Sequence, residues 1–414
     1  MGPPLGRPSP ALVRNTRALL AALGIAFAVA LLTGSGSTTA SGRLGGDYPS
    51  FYAAGKLLLE DPSRLYDPQA QAREQQGLFG DERDGGQLYF AYPPYDALPY
   101  AALAQLPYRL SYAVHTAAMV AAAVAALWLV RPMAPLVDRY FEQTVLAALV
   151  FYPLFKGVTG GQNTALVLLA VAAFARGMWD GRELLAGLAA GGLLLKPQYA
   201  VVLVVVLVVT RRWRSLGVVA AAGVLAYLAG AELAGWGWVG EWLDQVSWLA
   251  EADAPANGHN AISFLGVAES LWGFGAPVAQ VVGWGLAAVA ACLVAGWWWR
   301  APRSAVPALM AVTAPVVLLV APHAIYYDGG LLVLALAILA AGFATSTRTR
   351  WAVAVVYGIS LLQPWSNSLR VAPVFVVTVG VLGWAAARWT AERRAARVPG
   401  PGAAGAAGAH PPIT

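Results

Sequence analysis

Residues 276–299 read APVAQVVGWGLAAVAACLVAGWWW, and Arg300 follows. No Asp, Glu, Lys, Arg or His interrupts the stretch, and a bilayer crossing needs about 20 predominantly apolar residues in a helix. It therefore reads as a membrane-spanning helix, and that reading sets the class of the chain. Working outward, further apolar runs fall at 18–33, 110–130, 141–156, 163–178, 184–195, 198–210, 215–234, 305–320, 329–344, 351–363 and 371–388. Together they predict an all-α polytopic membrane protein with about twelve transmembrane helices and short extracytoplasmic helices.

Composition excludes most alternatives. The 414 residues are 58% hydrophobic and 12% charged, whereas a soluble domain carries about a quarter charged residues. Cys292 is the single cysteine and lies inside an apolar run, so no disulfide framework is available. His115, His259, His323 and His410 stand far apart in sequence, and neither a metal nor a cofactor is expected. The net charge of +6 comes from basic residues dispersed between the apolar runs. That pattern fits membrane orientation and argues against nucleic acid as a partner.

With the N-terminus inside, 18 of the 27 Lys and Arg residues fall on the cytoplasmic side, among them Arg131, Arg139, Arg211, Arg212, Arg214, Arg300 and Arg303. Both termini are then cytoplasmic. Residues 1–17 form the N-terminal segment, 18–390 the transmembrane domain with extracytoplasmic loops at 34–109 and 235–275, and 391–414 a disordered tail. The runs 184–195 and 198–210 meet at Lys196-Pro197 and read either as two short spans or as one helix broken by proline. Arg182 and the Arg211–Arg214 group, held on one side, favour two. The first run also reads as a signal peptide, with small residues at Thr38-Thr39-Ala40. In the first outer loop, Tyr48, Phe51, Tyr52 and Leu59 recur near helical spacing, with Lys56 available for a wet face. This predicts a helix lying on the outer leaflet.

Six polar junctions face the outer compartment in this topology. They are Gly45-Gly46-Asp47-Tyr48, Tyr92-Pro93-Pro94-Tyr95, Gly160-Gly161-Gln162-Asn163, Lys196-Pro197-Gln198, the segment Pro322 to Asp328, and Gln363-Pro364-Trp365-Ser366-Asn367. Glu232 aside, the spans carry almost no ionisable groups, whereas a proton-coupled transporter places such groups near the midplane. A site at the outer interface suits a donor whose tail lies in lipid and whose phosphate and sugar reach water. Displacing a sugar from a lipid phosphate requires a base for the acceptor hydroxyl and cationic or amide donors for the departing phosphate. Asp47 is the candidate base, and Lys196, His323, Gln162 and Asn163 are the candidate phosphate donors. Tyr48, Tyr327 and Asp328 are candidates for contact with acceptor and sugar. A single essential carboxylate fits inversion at the sugar, and no GxxxxGK[ST] loop is present to cradle a nucleotide.

Each of these residues also has a purely structural reading. Asp47 ahead of Tyr48-Pro49 suits a helix cap, and Gln162 and Asn163 suit caps or interhelical hydrogen bonds. Lys196 before a proline suits a lysine snorkelling to headgroups, while His323 and Asp328 flank a pair of tyrosines of the kind that anchor spans.

The ordered set Asp47-Tyr48, Ala53-Ala54-Gly55, Leu65-Tyr66-Asp67, Tyr92-Pro93-Pro94, Gly161-Gln162-Asn163, Lys196-Pro197-Gln198 and His323 to Asp328 resembles glycosyltransferase family 87, formerly domain of unknown function 2029. The resemblance runs from about residue 17 to residue 390. It implies a C-type glycosyltransferase fold and a polyprenyl-phosphate-mannose-dependent mannosyltransferase, in a bacterial inner membrane with its active site facing outward. It also implies a catalytic aspartate in the first outer loop, where Asp47 stands. The partners it implies are a polyprenyl-phosphate sugar donor, a glycolipid or envelope-glycan acceptor and membrane lipids. Two alternatives accompany it: a similar arabinofuranosyltransferase, and a lipid or solute transporter with no chemistry of its own.

Overall fold

The computed structural model describes residues 7–33, 44–79, 88–343 and 346–397, and these are helical almost throughout. The chain begins on α1 (Pro10–Thr33), most of whose surface is uncovered. A non-spanning layer follows, made of α2 (Tyr48–Glu60), α3 (Pro68–Phe79) and α4 (Leu98–Leu103). The long helix α5 (Tyr108–Val130) then leads through the short α6 (Pro135–Arg139) to α7 (Phe141–Val150) and α8 (Tyr152–Thr159). An extended Phe151 separates the last two, and Pro153 sits in the first turn of α8, where its missing N–H leaves no hydrogen bond unmade.

Helix α9 (Thr164–Asp180) ends at Gly181, and α10 (Glu183–Gly192) follows it. Proline at 197 disfavours helical geometry at the residue before it. Lys196 accordingly adopts φ −138° and ψ 76°, and α11 (Pro197–Val209) starts as a separate helix. Next come α12 (Trp213–Ala234), α13 (Trp238–Asn257), α14 (Phe264–Trp272) and α15 (Pro277–Trp298). The chain closes with α16 (Val306–Val320), α17 (Leu332–Leu339), α18 (Thr347–Ser360), α19 (Ser366–Leu369) and α20 (Pro373–Arg397).

Among the described residues, six helical runs are long and apolar enough to cross a membrane: Pro10–Thr33, Tyr108–Met133, Trp213–Ala234, Pro277–Trp298, Arg303–Val320 and Pro373–Arg394. The remaining apolar runs read from the sequence are also helical but shorter, including Phe141–Val150, Glu183–Leu195, Pro197–Val209 and Tyr326–Gly342. The centre is α16, packed against α9, α11, α15, α17 and α20, with α17 buried on every face. By contrast α12 and α15 leave large apolar side chains uncovered, such as Leu225 at 68% and Val281 at 74% exposure. Helices whose uncovered surface is this apolar belong in a bilayer, where the hydrocarbon takes the place of a protein neighbour.

Two expectations need adjusting. Helix α2 does not lie on a surface with one wet face, because Tyr48, Phe51, Ala53 and Ala54 are all fully buried. A Cβ at Gly55 would overlap the Tyr100 carbonyl, so the missing side chain is what lets α2 press against α4. The second concerns the tail: α20 continues through Arg397, beyond the boundary expected at residue 390. Residues 398–414, the small-residue stretch Thr38-Thr39-Ala40 and the acidic residues Asp81, Glu82 and Asp84 lie outside the described residues.

Candidate active site

Two loops build the centre of the site. Gly45 and Gly46 take φ of 96° and 52°, and Gly161 takes 72°, in the left-handed region that other residues resist. A Cβ at Gly161 would overlap Tyr48 and the Gly45 carbonyl, so these loops meet backbone to backbone. The Asp47 N–H donates to the Gly160 carbonyl at 2.8 Å. Asp47 occupies the cap position of α2, yet its carboxylate makes no capping hydrogen bond to the helix. Oδ2 instead accepts from Gln162 Nε2 at 2.5 Å. The Tyr92 hydroxyl donates to Gln162 Oε1 at 3.0 Å, which fixes the amide so that its NH2 faces Asp47.

A buried ion pair stands beside this chain of bonds. Lys196 Nζ and Asp328 Oδ1 are 2.7 Å apart, with both side chains about 5% exposed. The second Asp328 oxygen accepts from the Ile325 N–H at 3.2 Å, so the carboxylate is held from two directions. The rings of Tyr92, Tyr199 and Tyr327 lie 5.7–5.8 Å from the ammonium, within range of cation–π attraction. The Gln363 junction joins from the far side. Gln363 and Ser366 donate to Asn260 Oδ1, and the adjacent Ala261 bridges to Ile325. All six polar junctions quoted from the sequence therefore meet in one cluster.

The electrostatics follow from burial. Protein crowding raises the Asp47 pKa above its ordinary value, while the Gln162 hydrogen bond, Lys196 and the Tyr327 hydroxyl pull it back. Its side chain is only half-buried, so the carboxylate stays reachable from the surface. His323 is exposed by surface area although neighbouring groups wall it in, and the exposure decides access. Desolvation lowers its pKa, with Asp328 and Asp253 opposing that shift. A largely neutral imidazole at pH 7 then offers a single N–H donor.

The remaining candidates divide. Tyr327 is half-buried beside Asp47 and Lys196. Asn163 is buried, and its Oδ1 has no hydrogen-bond partner. Tyr48 stands apart: it is fully buried, its hydroxyl is 2.6 Å from Ser111 Oγ, and its ring packs on Tyr100, Tyr108, Tyr112 and His115. It supports the Asp47 loop from behind and has no exposed atom to offer a sugar.

Sequence reasoning missed Asp96, one residue beyond the quoted Tyr92–Tyr95 motif. Its Oδ2 is buried without a partner, and burial raises its pKa well above the carboxylate range, against the pull of Lys196. The signal was available: Pro93-Pro94 opens a tight helical turn, and Asp96 is the acid in that turn. Asp253, on α13, acts electrostatically on both Asp47 and His323, and nothing local in the sequence marks it.

Taken together, fold and site define a helical membrane protein that gathers a carboxylate, an oriented amide and a buried ion pair at one end of its central helices. The profile of Glycosyltransferase family 87 matches residues 90–322, more than half of the chain, and the chain belongs to that family. Sugar transfer is its activity in general terms. The matched span covers Tyr92, Gln162, Asn163 and Lys196, while Asp47 and the His323–Asp328 segment flank it. No curated protein matches the chain, and no solved structure does.

Proposed function

We propose that the protein is a C-type glycosyltransferase of about twelve spans that moves a sugar, mannose foremost, from polyprenyl phosphate to a glycolipid or envelope glycan on the outer face of a bacterial inner membrane. The observation that carries this reading is the Asp47 carboxylate, freed from capping, oriented by Gln162, raised in pKa by burial and set near Lys196. A carboxylate whose pKa is raised above its ordinary value is a stronger base for removing a proton from a hydroxyl. In the proposed step the acceptor oxygen attacks the anomeric carbon as its proton passes to Asp47. The bond from that carbon to the phosphate oxygen breaks on the opposite face, inverting the centre, and polyprenyl phosphate leaves.

Lys196 keeps two N–H bonds beyond the one directed to Asp328, and these, with His323 and the Asn163 amide, would meet the departing phosphate. Asp328 holds the ammonium in place, and with Tyr327 it would line the space for sugar and acceptor.

The test is donor choice by the purified full chain in lipid nanodiscs. Polyprenyl-phosphate mannose labelled in the sugar should be consumed and nucleotide-linked mannose left intact. Transfer from the nucleotide sugar with polyprenyl phosphate rigorously absent, or consumption of neither donor, would overturn the proposal.

A further inference from the structure

At the other end of the same helices lies a polar cavity. Helix α9 is flanked by Asn163 and Gly181, α11 by Lys196 and Thr210, and α16 lies between Arg303 and His323, so each carries the candidate active site at one end only. Helices of this length separate their ends by roughly 20–25 Å. The cavity, about 330 Å³ in volume, is lined at those far ends by Arg211, Arg212, Arg300 and Arg303, with Glu183 its one acidic group.

Two observations set this arginine cluster apart from ordinary basic residues at helix ends. Among the described residues only three other than glycine take a positive φ; two of them, Arg211 at 55° and Arg300 at 58°, line this cavity. Glycine or asparagine would adopt that backbone more easily, so each arginine holds its place at a conformational cost; the third such residue, Arg370, is the left-handed cap of α19 and lies away from the cavity. Next, the guanidinium groups are underpaired. Arg212 has a loose contact with Glu183 at 3.7 Å, Arg211 lies over the Trp299 ring at 5.7 Å, and Arg303 rests on Gly181 where any side chain would collide with it. Orientation in the membrane explains why arginines lie on this face, but not why four converge on one cavity.

We propose that this cavity binds a phosphate-bearing anion, on the membrane face opposite the candidate active site. Guanidinium forks match phosphate oxygens in pairs, and an anion at the centre would relieve the repulsion among four cations. Trp299, just past the end of α15 and about half exposed, stands at the cavity wall as aromatic side chains do at headgroup depth, while Trp298 is buried behind it. The phosphate of an anionic lipid in the adjacent leaflet and a free phosphate or pyrophosphate share this chemistry.

The experiment uses the full chain and separates these sources. Wild type, Arg211→Gly/Arg300→Gly, Glu183→Gln and Arg348→Gln/Arg350→Gln are purified from membranes containing phosphatidylglycerol, and lipid retained after detergent exchange is quantified by mass spectrometry. Glycine fits both left-handed positions, so the first variant loses charge without backbone strain. The expected result is retention by wild type, on the order of tenfold less in Arg211→Gly/Arg300→Gly, equal or greater retention in Glu183→Gln, and no change in the Arg348/Arg350 control. In a parallel arm, phosphatidylcholine nanodiscs receive millimolar pyrophosphate; a rise in melting temperature in wild type, lost in the glycine variant, with no lipid retained, assigns the site to the free anion. Equal lipid retention in wild type and the glycine variant without any pyrophosphate effect, or equal loss in the Arg348/Arg350 control, would overturn the proposal.

Discussion

Gln162 Nε2 donates to Asp47 Oδ2 at 2.5 Å, joining two loops that lie 115 residues apart in the chain. The bond favours the charged carboxylate and so opposes the burial that raises the Asp47 pKa. Gln162→Met keeps the side chain's length and removes the donor. The pKa of Asp47 should then climb further, and because the base works only when ionised, the acidic limb of the pH profile of kcat/KM should move to higher pH. A lower plateau with an unmoved limb would mean that Gln162 does not tune Asp47.

The Lys196–Asp328 pair is buried on both sides. Removing one partner leaves a buried charge uncompensated, so Lys196→Met and Asp328→Leu should each destabilise by about 3–5 kcal/mol, whereas the double variant Lys196→Met/Asp328→Leu should lose much less than their sum. Denaturant unfolding of all the variants in one detergent gives the coupling. Additive losses would show the two groups to be independent.

Close backbone approach carries a further prediction. Gly55→Ala drives a methyl into the Tyr100 carbonyl, and neither helix has a flexible side chain there to yield. A loss of about 1–3 kcal/mol is expected, together with reduced activity, because Asp47 stands at the cap position of α2. A variant as stable as wild type would show that α2 is less tightly seated than the structure indicates.

Accessibility tests the two faces. Helix α16 has exposed residues beyond both of its ends, Ser304 and His323. In a Cys292→Ala background, His323→Cys should react with an impermeant maleimide added to intact cells, and Ser304→Cys only after permeabilisation. Labelling of Ser304→Cys in intact cells would invert the proposed orientation.

The helices were legible because a bilayer imposes one demand on every crossing, and runs such as 276–299 meet it without interruption. The meeting of the six polar junctions was legible for the same reason, since a membrane sorts loops by side. What local pattern cannot carry is the choice of partner. Tyr48 and Lys56 suggested a helix floating on lipid, yet Gly55 and its small neighbours fit that helix against the Tyr100 turn. The Lys196–Asp328 pair spans 132 residues, and the arginine cavity draws on three separate turns. Neither arrangement exists until the central helices have packed.

Asp47→Asn separates the chemistry of the carboxylate from its place in the fold. The carboxylate makes no capping bond in the structure, so the substitution has no cap to break. Burial holds the Asp47 pKa above its unfolded value, so wild-type stability declines as pH rises from the ordinary carboxylate range through the raised pKa. Asparagine removes that decline, and the variant should be at least as stable as wild type at neutral pH. Its transfer of labelled sugar from polyprenyl phosphate, by contrast, should fall by roughly 10²- to 10⁴-fold, the contribution of a general base. The decisive measurement is therefore the transfer rate of Asp47→Asn beside its melting temperature in the same preparation: a folded, nearly inactive protein is predicted, and turnover within a few-fold of wild type would contradict the role given to Asp47.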